Sequence, residues 1–420
     1  MKFHNGETLT AEDCLFSLQC LRESANKSVT DHMDLDKSYV VDDKTFVIVM
    51  DQAYMPVIAN LSYPTCVMFS KKGYEDGNGE WANMDIGTGP YTWGDWSIGN
   101  TVELNAFDDY YVEGQPAIKK VEFKVISEDG NRYIEVETGG ADICYNLSGV
   151  DIAAAEANSD VQLFREYTMD NCYLSFNQRE EPFTDVRVRK ALSLAIDRDY
   201  VANTIMQGIY TPATALVGPG IVDENGYFMD NANGGEPYIS DDYEANLEEA
   251  KSLLAEAGYP DGEGFPTITY SANDSGYHIP VAEYLQQAWG ELGITMNIDK
   301  VEWSSFIPMR RAGDYDISRN GWSMDYNDPS NMLELFTTNN GNNDGKYANP
   351  EFDQVIEDSR VADKTTHFEK LHEAEDILMN DAACIPVAYY NDFWLQSPAL
   401  KGTWHSPYGY WYLQYGYIEE

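Results

Sequence analysis

Most residues of this 420-residue chain whose types and spacing could do chemistry stop one position short of a complete motif. Gly87-Thr88-Gly89 could open a dinucleotide loop, but Thr92 stands where the third glycine belongs, and Pro90 removes an amide that would face phosphate. His372-Glu373-Ala374-Glu375-Asp376 ends in an acid where the zinc motif H-E-x-x-H needs a second imidazole. His367 and His372 are five residues apart, off a common helical face, and both read as surface residues. Asp223-Glu224-Asn225-Gly226 begins like a calcium loop, but Phe228 and Gly234 occupy the positions that need glycine and glutamate. Among 71 acidic residues some pair could sit ~5–9 Å apart as in a glycosidase, yet spacing selects none. Neither a phosphate-binding G-x-x-x-x-G-K-S/T nor a nucleophile G-x-S-x-G occurs, so catalysis has no positive support.

Charge narrows the ligands further. Lys and Arg number 27 against 71 Asp and Glu, a net charge of −44, which opposes binding to a phosphate backbone. The six cysteines, Cys14, Cys20, Cys66, Cys144, Cys172 and Cys384, include no C-x-x-C, which argues against zinc or iron–sulfur centres; spacing does not choose a disulfide pairing. No metal and no cofactor is expected. Apolar runs such as Phe46-Val47-Ile48-Val49-Met50 are far shorter than the ~20 residues of a membrane span. A hydrophobic fraction of 43% with 13% aromatics indicates folded cores, and the length indicates more than one.

The elements that must position any site follow from caps and periodicity. Thr10-Ala11-Glu12-Asp13 has capping-box form, with Cys14, Leu18 and Leu21 following at helical spacing. Lys44–Met50 and Val121–Ile126 read as strands. Asp185 reads as the N-cap of a helix carrying Val188, Leu192, Ala195 and Ile196. Leu247, Ala250, Leu254 and Ala257 form a helical stripe that Gly258 ends. Thr267–Tyr270 suggests a strand, Val281, Leu285, Ala288 and Leu292 a helix, and Ile294, Met296 and Ile298 a second strand, together a βαβ unit. Residues 215–240 and 337–349 read as loops.

Several segments, in order, resemble one known family. Lys2-Phe3-His4-Asn5-Gly6 through Thr10-Ala11-Glu12-Asp13 is similar to the K-F-H-D-G…T-A-E-D, and Gly87-Thr88-Gly89-Pro90-Tyr91 to the G-T-G-P-Y, of the family 5 extracellular solute-binding proteins, the peptide- and nickel-binding receptors of ABC importers. Pro182-Phe183-Thr184-Asp185-Val186-Arg187-Val188-Arg189 through Asp197-Arg198 is similar to P-F-x-D-x-R-V-R…D-R, and Ala250–Tyr259 is another shared signature. Gly321-Trp322-Ser323-Met324-Asp325-Tyr326-Asn327-Asp328-Pro329 resembles the G-W-x-x-D-Y-x-D-P of oligopeptide-binding members.

The resemblance implies an α/β, two-lobed periplasmic-binding-protein-like (flytrap) fold with an extra subdomain on the first lobe. Residues 1–85 would be that subdomain, 86–178 the first lobe, 179–390 the second, and 391–420 a return to the first. It implies a non-enzymatic, extracytoplasmic receptor, periplasmic or a cell-surface lipoprotein, monomeric, that passes oligopeptides to an ABC permease. Another solute of the family, such as a nickel chelate or haem, is the alternative, and a secreted acidic hydrolase an alternative of another class. Met1–Gly6 lacks the basic start and apolar stretch of a signal peptide, which by itself leaves a cytosolic protein or a chain that begins inside a longer one; the resemblance favours the second. By position in the motifs, Asp325 would pair with the peptide ammonium, with Trp322 as the wall beside it. Arg319 and Arg310 would bind carboxylate, and Tyr390 and His278 would be further ligand-facing residues, His278 exchangeable by one position with Tyr277.

Overall fold

The chain passes through two units, Met1–Glu166 with Asp392–Glu420, and Tyr167–Asn391. The structure is a computed structural model and describes residues 1–24, 26–79, 87–231 and 237–419. The boundary expected at residues 85/86 and part of the expected 215–240 loop lie outside the described residues.

In the first unit, α1 (Ala11–Arg22) starts on the expected capping box: Thr10 Oγ1 accepts from the Asp13 amide and Asp13 Oδ2 from the Thr10 amide. Leu15 and Leu18 of α1 pack with Met33 and Leu35 beside a two-stranded ribbon, β1 (Tyr39–Asp42) and β2 (Thr45–Val47). The strand expected over Lys44–Met50 is therefore only three residues long, because pairing with β1 ends at Val47. Short helices α2 (Val57–Leu61) and α3 (Lys71–Asp76) lead toward an antiparallel sheet of β3 (Tyr91–Ser97), β4 (Thr101–Ala106) and β5 (Lys120–Lys124). Then come α4 (Asp129–Glu137), β6 (Ile143–Tyr145) and α5 (Gly149–Glu156). Trp93, Trp96 and Phe123 of the β3–β5 sheet are exposed.

The second unit is built on one sheet, in the order β10-β9-β11-β7-β12, with β8 against β12. Its strands are β8 (Thr211–Pro212), β9 (Ile268–Asn273), β10 (Met296–Val301) and β11 (Ile317–Ser323), with the parts from Tyr167 onward of β7 (Gln162–Phe176) and up to Asn391 of β12 (Cys384–Gln396). β9 and β10 run parallel with Met296 opposite Ile268, and α9 (His278–Gly290) crosses between them, so the expected βαβ unit is present. β11 is parallel to β9 and antiparallel to β7. The helices before the βαβ unit are α6 (Val186–Leu194), α7 (Arg198–Tyr200) and α8 (Tyr243–Glu256); those after it are α10 (Trp303–Ala312), α11 (Ser330–Leu333), α12 (Pro350–Val361) and α13 (Lys364–Asn380).

Acids start several of these helices: Asp185, Asp242 and Asp363 each accept from an amide of the first turn. Each cap of this kind is worth about 1 kcal/mol and places negative charge at the positive end of a helix. Val188 and Leu192 of α6, Leu247, Ala250 and Leu254 of α8, and Val281, Leu285 and Trp289 of α9 close over Leu174, Ile268, Tyr270 and Ile317 of the sheet. Burying a large apolar side chain gives roughly 1.5–3 kcal/mol, so this core holds the strands in register and fixes what their ends carry.

Candidate functional site

The alternation of β11 decides where the motif residues go. Arg319 and Gly321 lie opposite Leu174 and Cys172 of β7 on one face; Asn320 and Trp322 lie opposite Tyr173 and Asn171 on the other. Gly321 is required by crowding: a Cβ there would stand 2.5 Å from the Asn171 carbonyl oxygen and 3.3 Å from Arg319 Nη2. The guanidinium thus lies along the strand, over the space the glycine leaves.

On the Arg319 face, Arg319 Nη2 donates to the Tyr390 hydroxyl at 2.9 Å. Tyr390 packs on Tyr210 with ring centroids 4.6 Å apart, and Tyr210 meets Tyr277 edge-on. Burial pushes the Tyr390 phenol above its ordinary range, so Arg319 is paired with a neutral group and keeps its charge. An open cleft of about 680 Å³ lies beside it, lined by Asn273, Asp274, His278, Lys300, Glu302 and Trp303 among others. Asn273 and Val301 end the parallel strands β9 and β10, while His278 and Trp303 begin α9 and α10. The cleft therefore sits outside the carboxyl ends of parallel strands, where open α/β sheets bind ligands. Arg319 Nε, His278 Nδ1 and Asn273 Oδ1 are buried atoms with no hydrogen-bond partner among the described residues. Burial and the nearby Arg319 charge pull the His278 pKa down to about 4, so its ring is neutral at pH 7. Lys300 Nζ, 2.9 Å from Asp274 Oδ2, forms an exposed ion pair at the rim.

Trp322 and Asp325 form a second group. Both are half-buried, and Asn331 Oδ1 accepts from Trp322 Nε1 at 2.9 Å and from the Asp325 amide at 3.0 Å. Asn171 holds the strand end: its Oδ1 accepts from the Trp322 amide and its Nδ2 donates to the Leu216 carbonyl.

Arg310 goes elsewhere. Its Nε lies 2.6 Å from Asp344 Oδ2, with the two side chains 11% and 3% exposed, an ion pair rather than an aligned hydrogen bond. Asn320 Nδ2 also donates to that carboxylate, and the Arg310 guanidinium covers the Phe306 ring. The structure therefore brings Arg319, Tyr390 and His278 together, joins Trp322 to Asp325, and gives Arg310 a carboxylate of its own. The surface placement expected for the two histidines is corrected: His367 is fully buried, and His372 is half-buried, stacked on Phe228 at 3.8 Å. Their helix turns its apolar stripe inward, and His367 falls on that stripe with Leu371, Ala374 and Leu378. Sequence reasoning also missed Asn171, Tyr210 and Asn331; a lone asparagine or tyrosine has no spacing signal.

The sequence profile of the bacterial extracellular solute-binding proteins, family 5 Middle, matches residues 1–344. The chain belongs to that family. This family 5 protein is 28% identical over 437 residues to the oligopeptide-binding protein OppA of Bacillus subtilis, covering 96% of this chain and 77% of that one. It is 30% identical over 374 residues to the periplasmic oligopeptide-binding protein OppA of Salmonella typhimurium, covering 86% and 66%. Among solved structures, Haemophilus influenzae OppA in complex with RPPGFSPFR matches with a TM-score of 0.76 at 25% identity, covering all of this chain and 86% of that one. The fold is thus the periplasmic solute-binding fold of family 5, whose relatives are solute-binding receptors and not enzymes. Among the described residues, no helix is long and apolar enough to cross a membrane.

Proposed function

We propose that this family 5 protein is an extracytoplasmic receptor for oligopeptides and delivers them to an ABC permease. The observation that carries the reading is Arg319: a half-buried guanidinium at the rim of the cleft, hydrogen-bonded to a neutral phenol, with its buried Nε unpartnered among the described residues. Withdrawing a cation even partly from water without a counter-charge is costly, and a ligand carboxylate supplies that charge in the fork geometry a guanidinium favours. Neutral His278 adds a polar contact that does not compete for the anion. Asp325, on the loop that follows the same strand, supplies the opposite charge for a ligand ammonium, and Trp322 gives an apolar wall. A molecule with an anionic and a cationic end and a variable middle is a peptide. Oligopeptide binding by the named relatives supports the same choice.

Calorimetric titration of tri- to pentapeptides with free, N-acetylated and C-amidated ends tests the reading. Free peptides are expected to bind and to raise the melting temperature, since a ligand held only by the native state stabilises it. Acetylation and amidation are each expected to weaken binding. No binding by any peptide, with a haem or nickel-chelate response instead, overturns the peptide reading within the family.

A further inference from the structure

The buried face of α13 carries a histidine in an arrangement that counts protons. His367 is 0% exposed, and both of its ring nitrogens meet acceptors. Nδ1 lies 2.8 Å from the Ser359 carbonyl oxygen of α12, and Nε2 lies 3.1 Å from Asp328 Oδ2. A neutral imidazole has one N–H, while a carbonyl and an ionised carboxylate only accept. Both contacts are made together only when the His367–Asp328 pair holds one proton more than neutral histidine beside ionised aspartate.

Asp328 connects that proton to the site. Its Oδ1 accepts from the Ser330 amide at 2.9 Å, and its carbonyl accepts from the Asn331 amide at 3.0 Å. Asn331 in turn holds Trp322 and Asp325 through one oxygen. The other charged groups that bear on the ring are Glu334, just beyond α11, and Arg360 of α12, whose Nε is 3.0 Å from Glu334 Oε1. Glu375, two turns along α13 on the same face, accepts from the Val217 amide at 2.7 Å. We propose that His367 and Asp328 are a protonated positioning pair that sets Trp322 and Asp325 for ligand, so that the site loosens as the pair loses its proton at rising pH. The ligand half of this statement rests on the peptide reading above; the geometric half does not.

The direction agrees with the electrostatics. Burial opposes the imidazolium, but the hydrogen bond and charge of Asp328 outweigh it, and the His367 pKa is raised above its ordinary value. A raised histidine stabilises fully below its unfolded value of about 6.5 and loses that contribution as pH climbs through the folded value.

The test uses hydrogen exchange of residues 322–332 in the ligand-free protein between pH 6 and 9, corrected for the intrinsic exchange rate. The native protein is expected to lose about five-fold or more in protection, the equivalent of one hydrogen bond of ~1 kcal/mol. In Asp328→Asn the amide serves a neutral ring: Nδ1–H donates to Ser359, Nε2 accepts from the new Nδ2, and Oδ1 still caps Ser330. Its profile is expected to be flat. His367→Gln, with one amide donor group and no charge, is expected to lose protection at both ends of the range. Nitrogen-15 spectra of histidine-labelled protein read the ring directly, and two ring N–H signals from His367 at pH 6 are expected. A flat native profile, an equal slope in Asp328→Asn, or a single ring N–H at pH 6 with ionised Asp328 each overturns the proposal. Peptide affinity is then measured over the same range: the native protein should weaken about five-fold more than Asp328→Asn. The peptide ammonium titrates identically with both proteins and cancels in that ratio. If no peptide binds at any pH the functional reading fails, while the exchange experiment still decides the pair.

Discussion

The two faces of β11 treat two arginines in opposite ways. Arg310, over the Asn320 face, meets Asp344, a carboxylate 3% exposed. Arg319, on the other face, meets the neutral hydroxyl of Tyr390 beside an open cleft. The two residues are nine positions apart and identical in type, so the difference lies wholly in the partner. A buried carboxylate neutralises the arginine's charge in the fold; a phenol orients the guanidinium and leaves its charge unneutralised.

The largest effect expected from breaking this contrast falls on stability. Arg310→Met strands Asp344 as a buried unpaired charge, and breaking such a pair costs ~3–5 kcal/mol. Denaturant melts of the second unit should show the loss, and adding Asp344→Asn should recover part of it. Peptide affinity per folded molecule should change little; a large loss of affinity would place Arg310 in the site after all.

Arg319→Met should do the reverse. Removing one side of an enclosed charge pair weakens binding by roughly 2–5 kcal/mol, ~30- to several-thousand-fold, for peptides with a free carboxylate. C-amidated peptides should lose little more, and calorimetry on both peptide forms shows which. Asp325→Asn should give a loss of the same size at the other end of the ligand, seen with free amino termini and absent with acetylated ones. Equal weakening of free and acetylated peptide would reduce Asp325 to a loop residue held by Asn331.

His278 sharpens the comparison through pH. Its folded pKa near 4 lies below the unfolded value of about 6.5, so the unfolded chain binds the extra proton first. Stability is full above about 6.5 and falls as pH drops toward 4, by ~2 kcal/mol after allowing for partial exposure. His278→Gln should flatten that acid limb in thermal melts taken from pH 4 to 7. The smallest effect is expected from Tyr390→Phe, which removes one hydrogen bond to Arg319 at a cost of ~1 kcal/mol, about five-fold in peptide affinity. An unchanged affinity would mean that packing alone aims the guanidinium.

Local signals were legible wherever the chain meets its partner within a few residues. The capping box Thr10–Asp13, the cap at Asp185 and the βαβ unit of β9, α9 and β10 all follow from spacing, because their interactions close within one turn or one crossover. The strand expected at Lys44–Met50 shrank to Thr45–Val47, since an apolar run states a preference and the partner strand sets its length. His367 shows the same limit: its position five residues before His372 said nothing of Asp328, 39 residues away.

The sequence by itself determined the family, through ordered motifs, and it determined the helix starts, through side chains that bond their own backbone. Only the tertiary structure decided which arginine meets a buried carboxylate and which faces the cleft. The reason is physical: a charge takes its role from its nearest partner, and here those partners, Asp344 for Arg310 and Tyr390 for Arg319, come from distant strands and loops. Periodicity assigned the faces of β11 only once the register with β7 was set, and that register is fixed by the core rather than by the strand's own residues.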